Sequence, residues 1–153
     1  MSKKKFIISI IIVLLAIVLD ILMGLILHNH LMEVTVEELF IKFTLVPMVM
    51  ALIVPFFATL ICTERKIAIL SYIFAVFLYL HNYIVIDSYF KPEVIAQVMK
   101  NSNVIQEGVS ISSSTDVSSM ITTVITIFAL TSIGIFFGKK LNSVLLRLGR
   151  GVK

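Results

Sequence analysis

Long apolar runs bounded by polar or charged residues set the pattern of this chain. Four of them, over 6–27, 43–62, 67–86 and 120–137, approach or exceed the length that crosses a membrane. A helix needs about 20 apolar residues to cross a hydrocarbon core of roughly 30 Å. Lipid offers no hydrogen bonds to the backbone, so each run is expected to be helical. The predicted fold is all-α: a polytopic membrane protein with four transmembrane helices, over about 6–27, 40–63, 67–89 and 118–138. They form an antiparallel bundle with both termini inside, and 1–153 makes one membrane domain. Lys3, Lys4 and Lys5 precede the first run as they would in a signal peptide. That run is too long for one, and no small-x-small cleavage site follows it, so it is expected to be retained.

The connections sharpen this picture. An outer loop over 28–39 contains Thr35-Val36-Glu37-Glu38, a capping box that starts the second helix near Val36. The turn Thr63-Glu64-Arg65-Lys66 is so short that helices two and three must be neighbours. A second outer loop, over 90–117, opens with Pro92 at a first helical turn and places Val94, Ile95, Val98 and Met99 on one face. A short helix lying on the membrane surface is expected there, followed by a serine-rich linker in which Asp116 or a nearby serine caps helix four. The tail over 139–153 carries Leu141, Val144, Leu145 and Leu148 at helical spacing among basic residues, a pattern suited to the inner leaflet surface.

Composition agrees with the runs. Of the 153 residues, 59% are hydrophobic and 14% charged, against about a quarter charged in a soluble domain. That excludes a soluble enzyme, a disordered tail and a nucleic-acid-binding domain. The single cysteine, Cys62, excludes a disulfide framework and thiol-pair redox chemistry. The net charge of +4 has a topological reading. With both termini inside, Lys3, Lys4, Lys5, Arg65, Lys66, Lys139, Lys140, Arg147, Arg150 and Lys153 lie on the inner side. Only Lys42, Lys91 and Lys100 lie outside, the asymmetry expected of short loops. The Ile- and Lys-rich composition points to a bacterial cytoplasmic membrane.

Ionisable groups inside a span are costly and mark candidate function. Asp20 lies on a stripe with Ala16, Gly24 and His28, spaced by four. Counting about 1.5 Å per residue from the span centres puts Asp20 and His81 at similar depths, where they can meet. Asn82, Tyr83 and Asp87 complete a polar intramembrane cluster in the outer half. His28, His30 and His81 are candidates for a metal or haem site, but their spacing matches no ligand motif, so no metal, haem or other cofactor is expected. Gly134 and Gly138 form a GxxxG, which packs helices closely, either within the chain or between copies. Gly24 is a third packing glycine. Pro47 and Pro55 are expected to kink the second helix.

No nucleotide-binding glycine loop is present. Intramembrane aspartyl chemistry needs a second carboxylate, and helix four has none. Two functions remain. The first is a non-enzymatic protein acting by binding in the bilayer, as an accessory subunit or immunity-type protein, with a membrane-protein partner or a second copy of itself. The alternative is a small oligomeric transporter or channel using Asp20, His81, Tyr83 and Asp87. The polar groups cluster in the outer half and leave no continuous relay, which favours the first.

Overall fold

The computed structural model describes residues 3–30, 33–89, 91–102 and 117–150, without the side chains of 86–89, 117, 119, 149 and 150. Among the described residues all regular structure is helical. The elements are α1 (Lys3–Asn29), α2 (Val36–Phe40), a π-helical segment (Ile41–Leu45), α3 (Val46–Ile61), α4 (Arg65–Tyr89), α5 (Pro92–Asn101) and α6 (Val117–Arg150). α2, the π segment and α3 run on as one helix, so four helices are long and apolar enough to cross a membrane. The serine-rich linker and its Asp116 cap lie outside the described residues.

The second span starts where its capping box directs. The Glu38 N–H donates to Thr35 Oγ1 at 3.3 Å, and the Thr35 N–H donates to Glu38 Oε2 at 2.9 Å. Five residues later the helix widens into the π segment, and the sequence explains why. Pro47 has no N–H, so the ordinary ladder cannot continue through it. The Val46 N–H instead reaches back five residues to the Ile41 carbonyl. This widened turn changes which residues share a face. In an α-helix a five-residue step overshoots a full turn by about 140°. With i→i+5 bonding, Lys42 returns to the side of Pro47, and both are buried.

The core is built from small residues at close range. Among the described residues α3 and α6 share the most extensive interface, and their contacts advance together along both helices. A methyl group placed at Gly134 would overlap the Leu52 carbonyl oxygen, and one at Gly138 would overlap Thr59 Oγ1 and the Phe56 carbonyl. One turn further, Asn142 Nδ2 donates to the Leu60 carbonyl. The GxxxG is therefore used within the chain. Val13, Ala16, Ala51, Ala58, Ile67, Phe74, Ala75 and Leu78 form the buried cluster around this seam. α1 is fastened to α3 by Ser9, whose hydroxyl donates to the Ala58 carbonyl at 2.8 Å. α4 is fastened to α6 by the Tyr72 and Ser132 hydroxyls at 2.9 Å, with the Tyr72 ring stacked on Phe128.

The short helix expected after Pro92 forms as α5, and its apolar face is covered from within the chain. Val94 and Val98 are buried against Val34, with Leu27, Leu39, Phe43 and Val85 around them, so α5 folds over one end of the packed helices. The Val36 N–H donates to Ser102 Oγ at 2.8 Å, and Asn101 Nδ2 donates to the Val34 carbonyl at 3.1 Å, which pins its far end. The basic tail is joined to the fourth span as one helix. α6 continues without a break through Gly138 to Arg150, 34 residues or about 51 Å. Gly138 sits helically beneath Thr59, and good helix formers follow it, so nothing turns the chain there. Leu141, Val144, Leu145 and Leu148 remain exposed on this extension.

Candidate functional site

The buried face of α1 is Ser9, Val13, Ala16, Asp20 and Gly24, steps of three and four that bring one carboxylate among small residues. Asp20 is 0% exposed, and both of its carboxylate oxygens are engaged. His81 Nδ1 lies 2.7 Å from Oδ2, and Lys42 Nζ lies 2.6 Å from Oδ1. The ammonium also donates to the Asp20 main-chain carbonyl at 3.3 Å. Three helical segments thus meet at one point: α1 supplies the anion, the π segment the cation, and α4 the imidazole.

Lys42 is the correction to the sequence reading. The charge count places it on the outer side with Lys91 and Lys100, yet it is 1% exposed and the largest fully buried side chain among the described residues. Its stem can thread the interior because the π segment turns it inward. Two features of the sequence point to it. The capping box starts the helix at Val36, which places Lys42 within the helix, and Pro47 five residues on perturbs the register. A buried lysine without a counter-ion is prohibitively costly, so Asp20 is the partner that makes its burial possible.

The imidazole is held on three sides. A carboxylate only accepts hydrogen bonds, so Nδ1 carries the proton that faces Asp20. The ring stacks on Phe77 with centroids 5.4 Å apart and planes 9° from parallel. Gly24 lies against its edge: a Cβ there would stand 3.2 Å from His81 Cε1. Carboxylate, ring stack and glycine together fix the orientation of the imidazole.

The other candidates fall elsewhere. Asn82 continues the buried stripe of α4 and donates to the Leu78 carbonyl at 2.7 Å, while its Oδ1 has no partner among the described residues. Tyr83 is 41% exposed, stacks on Tyr79 and is not among the partners of Asp20. Asp87 stands in the last turns of α4, and its side chain lies outside the described residues. His30 pairs with Glu33 at 3.2 Å on an exposed turn, and His28 is exposed near the end of α1. The three histidines thus occupy three different settings, and the described residues contain no group of three or more metal-donor side chains.

Chemically, the site is a fully buried Asp20–Lys42 pair, with the partly exposed His81 imidazole as the carboxylate's second partner. Each carboxylate oxygen of Asp20 is engaged by a different helical segment, Oδ1 by Lys42 and Oδ2 by His81. The chain matches no family model, no curated protein and no solved structure.

Proposed function

We propose that this is a small non-enzymatic membrane protein that acts by binding another membrane protein within the bilayer, as an accessory subunit or immunity-type protector. The observation that carries this reading is the closure of the Asp20 site. A transport path needs ionisable groups that exchange partners along its length. Here the carboxylate is occupied on both oxygens, and its cation and imidazole are bound to it. The spans beyond it offer no acidic or basic side chain between Phe6 and Leu19, between Val46 and Cys62, or between Ile67 and Leu80.

The same contacts support an antiparallel order with both termini on the cytoplasmic side of a cell membrane, bacterial by composition. Ser9, early in α1, meets Ala58, late in α3, while Asp20 further along α1 meets Lys42 ahead of α3. With Lys42 buried among the helices, the asymmetry becomes ten basic residues at one end against Lys91 and Lys100 at the other. That is a stronger bias than the chain showed with Lys42 counted outside.

An affinity-tagged chain, crosslinked in its native membrane and extracted in mild detergent, is expected to carry one other membrane protein in near-stoichiometric amount. Recovery of the chain alone, or joined only to itself, contradicts this reading.

A further inference from the structure

Beside the closed ion pair, one polar atom of the cluster faces outward. A groove between α1 and α4 is lined by Ile21, Gly24, Leu25, His81, Ile84 and Val85, with His28 at its edge. Gly24 forms part of its lining, where a Cβ would stand 3.2 Å from His81 Cε1 and 3.6 Å from His81 Nε2, so a larger side chain there would crowd the imidazole. Its volume is roughly 170 Å³, close to the cavity of about 150 Å³ that accepts a benzene ring. Ile84, on its wall, is among the most exposed apolar side chains of the chain, so the groove opens to the surface that faces lipid.

The chemistry of this groove follows from what lies behind it. Lys42 stands against Oδ1 of Asp20, and the imidazole of His81 donates Nδ1–H to Oδ2. With Nδ1 carrying the proton toward Asp20, the uncharged ring turns the lone pair of Nε2 to the groove, aimed by the Asp20 bond and the Phe77 stack, and Nε2 meets no hydrogen-bond partner among the described residues. An acceptor fixed in apolar surroundings selects an O–H donor that itself prefers an apolar site. A carboxylate behind an imidazole also suits metal ligation. Here the groove adds only His28, fewer donors than a stable metal site requires.

We propose that this groove binds the hydroxylated ring of a lipid-soluble phenol or quinol, entering from the bilayer and donating its O–H to His81 Nε2. The size of the groove accommodates one ring, its lining accepts the ring faces, and the attached chain stays in lipid. The site is independent of the protein partner proposed above.

The test uses the full chain in lipid nanodiscs with its histidines labelled with ¹⁵N. The probe is a hydroquinone bearing a ten-carbon chain, kept reduced, and the comparison is decylbenzene, which lacks the O–H. The hydroquinone is expected to shift the His81 Nε2 resonance saturably, and decylbenzene to bind about tenfold or more weakly. Gly24→Leu is expected to abolish the shift. No saturable shift in the natural chain, equal binding of the two compounds, or a shift produced by zinc and not by the hydroquinone each overturns the proposal. The comparison of the two compounds uses the natural chain, so it stands even if Gly24→Leu disturbs folding.

Discussion

Replacing Lys42 by methionine is expected to destabilise the folded chain by about 3–5 kcal/mol, the usual penalty for leaving a buried charge without its partner. Methionine matches the length of the lysine stem, so the packing of the π segment is nearly conserved and the loss is electrostatic. The carboxylate of Asp20 keeps only the His81 hydrogen bond and has no water to replace the ammonium. Thermal unfolding in detergent is expected to show a midpoint lower by roughly 10 °C. Asp20→Asn in the same background removes the orphaned charge, so the double variant is expected to regain much of that loss. The coupling between the two positions is then larger than either residual effect. Additive losses would mean that the two side chains do not form the pair described here.

Replacing Gly138 by leucine is the second large effect. A side chain there meets the Phe56 backbone carbonyl as well as Thr59 Oγ1, and a helix backbone cannot step aside as a rotamer can. α3 and α6 must separate along a seam that holds Thr59, Asn142 and the core alanines together. The expected loss is about 3 kcal/mol or more, above the common range for overpacking because the obstacle is main chain. Ile133→Leu, on the exposed face of the same helix, is expected to leave the midpoint unchanged. The glycine pair lies within one chain, so Gly138→Leu is expected to impair folding and not merely to dissociate copies. Normal stability with altered self-association would place the motif between chains.

Much of this arrangement was legible in the residue pattern. The four long helices follow from unbroken apolar runs, and the start of the second from Thr35 and Glu38. Helical rise converts residue counts into height, so equal depth allows Asp20 to meet His81, and the packed faces of α1 and α4 complete the contact. Lys42 was not legible at the same level, because helical periodicity assumes a constant turn. One widened turn ahead of Pro47 brings the lysine to the buried side, which a count of outer-side charges does not register. Tyr83 shows the converse. It shares a stripe with Tyr79 and Asp87, but the face of α4 that packs is the one carrying Ser71, Ala75, Leu78 and Asn82. A stripe of polar residues fixes spacing and leaves open which face meets the other helices.

The choice between GxxxG within the chain and between chains is likewise a matter of neighbours. It was decided by Leu52, Phe56 and Thr59 on another helix, which local pattern does not pair with Gly134 and Gly138. The burial of α5 depends on Val34 and on the Ser102 and Asn101 bonds, contacts far apart in sequence that no periodicity announces.

The binding reading rests on the Asp20 site being closed, and flux through reconstituted protein tests that most directly. Proteoliposomes carrying the full chain are expected to show no proton, sodium or potassium flux above empty vesicles when a gradient and a membrane potential are imposed. Flux that appears with the natural chain and disappears with Asp20→Asn, while the variant remains folded, would contradict it.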